Sequence, residues 1–129
     1  MKILSLLMCI FSYSVSAFPM EDIYKNLDIT SFNSSLIPLR EGGEKTFQDF
    51  NEKLPAPIFS EKSIVLDNDY WTYSLTVIKT SNNSGYHVCF KDKAKVGTYD
   101  SQKAMIIRKY DQYYVAINSS SNVCESYAK

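Results

Sequence analysis

Trp71-Thr72-Tyr73-Ser74-Leu75-Thr76-Val77-Ile78 is the stretch on which the fold of this chain turns. Large apolar side chains at 71, 73, 75 and 77 alternate with hydroxyls at 72, 74 and 76. A period of two belongs to a β-strand, whose successive side chains point to opposite faces. The segment therefore predicts a half-buried strand with Trp71, Tyr73, Leu75 and Val77 facing inward.

Working outward, Ser63 to Asp67 is β-branched and apolar, and Asn68-Asp69 separates it from the first strand as a turn would. On the other side, Asn82-Asn83-Ser84-Gly85 turns the chain into Tyr86 to Lys91. A further pair, Ala104 to Tyr110 and Tyr113 to Asn118, is divided by Asp111-Gln112. Five strands joined by short turns predict an antiparallel β meander in an α+β fold.

Two short helices come before the strands. Pro19 suits a first helical turn, where an amide is unsatisfied in any case, and Met20, Ile23, Tyr24 and Leu27 form an i, i+3, i+4, i+7 stripe. Glu21 and Asp22 near its start and Lys25 nearer its end complement the helix dipole. Ile29 to Lys45 has no sustained period and reads as irregular. Thr46 and Asp49 then resemble a capping box, with Phe47, Phe50 and Leu54 on one face and Pro55 as the stop.

Residues 1–17 read as a secretory signal peptide: Lys2 supplies the charge, Ile3 to Phe11 the apolar core, and Val15-Ser16-Ala17 the small residues at the cut. The apolar run is shorter than the roughly 20 residues of a membrane span, so no transmembrane segment is expected in the mature chain. The remaining 112 residues, 18–129, suit one small exported domain, secreted or periplasmic. Cys9 leaves with the leader, and an oxidising compartment then favours one Cys89–Cys124 disulfide. Closing that loop contributes about 3 to 4 kcal/mol in the chain-entropy model.

Among residues 18–129 there are 13 basic and 14 acidic side chains, without the cationic excess that nucleic-acid binding needs. The charges are polarised along the chain: residues 70–129 hold 8 basic and 4 acidic groups, residues 18–69 hold 5 and 10. Lys91, Lys93 and Lys95 alternate and would share a face, either as a contact for an anionic partner or as lysines guarding an edge strand.

No cofactor motif stands out, and one histidine with two cysteines excludes a His/Cys zinc site. Asp67-Asn68-Asp69 begins like a calcium loop but has Thr72 where such a loop needs Gly. His87 and Cys89, two apart on a strand, would form a cysteine hydrolase pair only if the thiol were free. Asn33, Asn82 and Asn118 each open an N-x-S sequon.

Residues 18–129 carry 9 Tyr, 6 Phe and 1 Trp. Tyr110, Tyr113 and Tyr114 crowd one hairpin, and strand alternation cannot bury all three on one side. These features favour a non-enzymatic, exported protein-binding domain of the inhibitor or immunity type, without a cofactor, with Tyr110, Tyr113, Tyr114 and the three lysines as candidate contacts. The alternatives are a binder of small ligands, glycans or anionic surfaces, and a hydrolase using Cys89 and His87.

Overall fold

A computed structural model describes residues 18–32, 40–82, 85–118 and 124. The expected leader, residues 1–17, lies outside the described residues, as do all or part of the three sequons.

Helix α1, Met20–Asn26, follows Pro19 and buries Met20 and Ile23, as the apolar stripe requires. The chain then extends as β1, Leu27–Asp28, and tightens into a 3-10 turn, η1, at Ile29–Ser31. Asp28 caps that turn by accepting the Thr30 amide at 3.0 Å. A longer 3-10 segment, η2, spans Phe47–Lys53 and buries Phe47 and Phe50. Asp49 accepts the Lys45 and Thr46 amides, both at 2.9 Å, and these bonds hold its carboxyl below the usual range. The expected second short helix is present in 3-10 form, interrupted at Asn51, whose φ of 52° is left-handed. Asn tolerates that conformation better than most residues.

The fold is mostly β. Strands β2 (Ile58–Phe59), β3 (Ser63–Asp67), β4 (Trp71–Ser81), β5 (Gly85–Ala94), β6 (Asp100–Tyr110) and β7 (Tyr113–Asn118) join β1 in one sheet of order β1-β7-β6-β5-β4-β3-β2. The expectation of about five antiparallel strands is corrected to seven in a mixed sheet, because β1 pairs in parallel with β7, Leu27 opposite Tyr114. Two-residue strands such as β1 and β2 are too short to show a period of two.

The sheet is curled, and α1 gives the reason. In a flat sheet β3 and β7 would stand about 19 Å apart at roughly 4.8 Å per strand, whereas a helix with its side chains is about 10–12 Å across. Yet α1 touches both strands, and its Tyr24 ring lies edge-on to Phe59 of β2 at 5.7 Å. The sheet wraps around the helix. Ile23 and Leu27 enter the concave side at 0% exposure, against Leu75, Val88, Phe90 and Ile107. Asp22 fastens the far end: it accepts from the Tyr114 hydroxyl at 2.7 Å and pairs with Lys109 at 2.8 Å.

Register places Trp71, Tyr73, Leu75 and Val77 opposite Ala94, Asp92, Phe90 and Val88 on that concave side. The alternation breaks after Val77, where a bulge shifts the pairing. At the start of β5, a Cβ on Gly85 would meet the Ile107 carbonyl at 3.1 Å and the Arg108 side chain at 2.9 Å, so a larger residue would push β6 away.

Ile23→Ala should cost about 2 to 5 kcal/mol in urea unfolding, because it opens a cavity where the helix meets the sheet. Ile117→Ala removes the same atoms from a side chain that is 42% exposed and should cost far less. Equal losses would contradict the placement of α1.

Candidate functional site

The end of the sheet where β4 begins is built from two pinned turns. In the β3–β4 turn the Asn68 side chain accepts the Tyr70 and Trp71 amides, each at 2.8 Å, and its own amide donates to the Trp71 carbonyl at 3.0 Å. Asn suits such a turn because its short side chain replaces a backbone acceptor. The β5–β6 loop lies beside it: the Lys95 amide donates to the Tyr70 carbonyl at 2.9 Å, and the Ala94 amide to the Tyr99 carbonyl at 2.9 Å. Gly97 provides the left-handed φ of 93° that closes this loop. Lys95 completes the tie through an ion pair with Asp67 at 2.8 Å, and the Thr72 hydroxyl donates to the same carboxylate at 2.6 Å. Those two bonds hold Asp67 ionised to lower pH than usual.

From this framework Tyr70 and Val96 project at 74% and 76% exposure, and Tyr99 at 42%. Trp71, half-buried, follows Tyr70 in the chain, and its ring lies 5.5 Å from that of Tyr99. Behind it the rings continue inward: Trp71 to Tyr73 at 6.2 Å, Tyr73 to Phe90 at 6.4 Å and Phe90 to Phe47 at 6.2 Å. The exposed patch is thus the outer end of an aromatic column rooted in the core.

Asp92 lies beneath that patch. At 3% exposure it is the one buried charged side chain among the described residues, and it has no ion-pair partner among them. Its cross-strand neighbours are Tyr73 and Ser101, and the next inward pair is Phe90 with Lys103. The Trp71 indole N–H donates to its carboxylate. Burial raises the Asp92 carboxyl above the usual range, and the indole bond offsets only part of that. The Tyr73 hydroxyl is pushed up to about 12, chiefly by burial and then by the charges of Asp92 and Tyr99. The chemistry available here is orientation: the carboxylate fixes the indole ring and is itself closed to a ligand.

The residues singled out in the sequence are dispersed. Tyr110 pairs with Tyr113 at the opposite end of the sheet, across an Asp111-Gln112 turn in which Asp111 takes a φ of 54°. Tyr110 is 54% exposed; Tyr113 is half-buried, with the Lys45 ammonium 3.8 Å above its ring. Tyr114 faces the concave side at 4% exposure and is no part of an accessible surface. Its hydroxyl is harder to ionise than usual because of burial and the hydrogen bond to Asp22.

Lys91 and Lys93 share the convex face, while Lys95 follows the strand and is engaged by Asp67. The edge-strand reading of the lysines is corrected, because β5 lies between β4 and β6. Cys89 and Cys124 stand at disulfide distance, with Cα atoms 5.2 Å apart. His87 shares the convex face with Cys89, but a bonded sulfur is not a nucleophile. The His87 Nδ1 is buried and has no hydrogen-bond partner among the described residues.

The proximity of Tyr70, Val96 and Tyr99 is not legible in the sequence. Tyr70 precedes the first alternating residue, and Val96-Gly97-Thr98-Tyr99 carries a Gly that marks a hairpin loop, but only the fold brings the two turns together. No protein-family model, curated protein or solved structure matches the chain. Among the described residues no group of three His, Cys, Asp or Glu is placed to hold a metal ion, and no helix is long and apolar enough to cross a membrane.

Trp71 is the only tryptophan in the chain, so its fluorescence reports the Asp92 bond directly. Emission should titrate with a midpoint above the ordinary aspartate value of 3.8, and Asp92→Asn should abolish the transition. The folded state holds this proton more tightly than the unfolded state, so this group's contribution to stability falls as pH rises from 3.8 through the folded-state value. A titration unchanged in Asp92→Asn would assign it to another group.

Proposed function

We propose that this chain is an exported, non-enzymatic partner-binding domain, of the inhibitor or immunity type, whose partner is a protein. The observation that carries this proposal is the exposed cluster of Tyr70, Val96 and Tyr99, with the Trp71 ring beside that of Tyr99. Tryptophan and tyrosine dominate binding hot spots because they bury a large area at low cost in side-chain entropy. Rigid turns lower that cost further, since the backbone bonds of Asn68 and Lys95 exist before a partner arrives. The charges around the patch, Asp67, Asp69, Lys93, Lys95 and Asp100, are mixed in sign, which suits the polar rim of a protein interface. Tyr110 and Tyr113, at the other end, form a second and smaller candidate contact.

Export to a secreted or periplasmic location rests on the leader-like residues 1–17, and the proximity of Cys89 and Cys124 is in keeping with an oxidising compartment. The inhibitor or immunity role rests on analogy of size and compartment.

The test begins with co-purification of the tagged mature protein from its host, which identifies the partner. Binding is then compared among folded variants. Tyr70→Ala with Tyr99→Ala should weaken binding at least about 30-fold, the loss expected for truncating a hot spot. Tyr110→Ala with Tyr113→Ala should weaken it less, and His87→Gln should leave it unchanged. Loss of function in His87→Gln, with normal binding by the Tyr70 and Tyr99 variant, would replace the protein-binding proposal with a site around His87.

A further inference from the structure

The convex face holds a cavity of about 240 Å³ lined by Ser74, Thr76, Lys91, Gln102 and Cys89. Register explains the convergence: Ser74 on β4, Lys91 on β5 and Gln102 on β6 are successive cross-strand partners, so three adjacent strands present polar side chains in one row. Thr76 and Cys89 form the next pair along and are buried, at 7% and 5% exposure. Among the described residues, the side chains of Ser74, Thr76, Lys91 and Gln102 have no hydrogen-bond or ion-pair partner. Among the described residues no carboxylate lines the cavity; Asp100, on the same face of β6, lies opposite Lys93 instead. The cavity therefore offers polar groups that are free to bind a ligand or water.

We infer that this cavity is a binding site for a small tetrahedral oxyanion, the phosphate or sulfate group of a soluble ligand. The described lining can present donors, namely two hydroxyls, the Gln102 carboxamide and the Lys91 ammonium, whose charge no described neighbour neutralises. Donors arriving from three adjacent strands suit a group whose terminal oxygens diverge, better than the two coplanar oxygens of a carboxylate. The site lies on the opposite side of the sheet from Trp71 and Asp92, so it is independent of the protein-binding surface proposed above.

The experiment is a titration of the 15N-labelled mature protein with inorganic phosphate and with sulfate, at constant low ionic strength set by chloride. Saturable amide shifts confined to the Ser74, Thr76, Lys91 and Gln102 rows are expected. Lys91→Met should weaken binding at least tenfold while Lys93→Gln leaves it within twofold. Ser74→Ala with Gln102→Ala provides a second variant if Lys91→Met does not fold. A parallel arm with vesicles of phosphatidylcholine and phosphatidylglycerol separates a headgroup from a soluble ligand, and sedimentation of the protein with those vesicles would overturn the soluble assignment. Linear, non-saturating shifts, or equal affinity in Lys91→Met, would overturn the site itself.

Discussion

The burial of one face of α1 is the constraint on which the rest of the structure depends. A seven-residue helix is too short to persist by its own hydrogen bonds, so it exists because Met20 and Ile23 leave water. That burial needs apolar surface on several sides at once. Strands at opposite ends of the sheet supply it, which obliges the sheet to curl until β3 and β7 both reach the helix. Asp22 then locks the closure by holding Tyr114 and Lys109 of the β6–β7 hairpin.

The curl divides the concave face into two parts with different uses. One part is sealed by α1 and η2 with aliphatic and phenylalanine side chains. Beyond it, the same row of inward positions runs out from under the helices, and there the residues become Tyr73, Trp71 and Asp92. Trp71 and Tyr73 are half-buried there, while Asp92 is buried. A buried carboxylate under an aromatic patch is destabilising by desolvation, and its bond from the Trp71 indole N–H sets the ring's orientation. The convex face is different again: its buried centre is made of small side chains, Thr76, Cys89 and Ala104.

Much of the sheet was legible in the residues. β3 and β7 coincide with the expected segments, and the inward set of Trp71, Tyr73, Leu75 and Val77 shares one face, because burial on one side forces a period of two that sequence displays directly. β1 and β2 were not legible, since two residues carry no period and their pairing is decided by contacts distant in sequence. The 3-10 character of Phe47–Lys53 was hidden too, because the spacing of Phe47 and Phe50 suits both helix types and only the break at Asn51 separates them. For the candidate site, the tyrosine count suggested a contact surface at the Tyr110–Tyr113 end of the sheet, whereas the most exposed tyrosine, Tyr70, lies at the other end. Exposure depends on which turns lie side by side, and the bond from Lys95 to Tyr70 joins residues whose adjacency no local pattern encodes.

Amide hydrogen exchange at Leu27 tests the central claim most directly, because the Leu27 N–H donates to the Ile23 carbonyl at the end of α1. If the sheet curls because it encloses the helix, α1 and the central strands open together. The Leu27 amide should then exchange with the same free energy of opening as the slowest amides of β5 and β6, and should respond to urea with the same slope. Exchange at Leu27 through a much smaller opening, with β5 and β6 still protected, would show that the sheet holds its shape without the helix and would contradict the account.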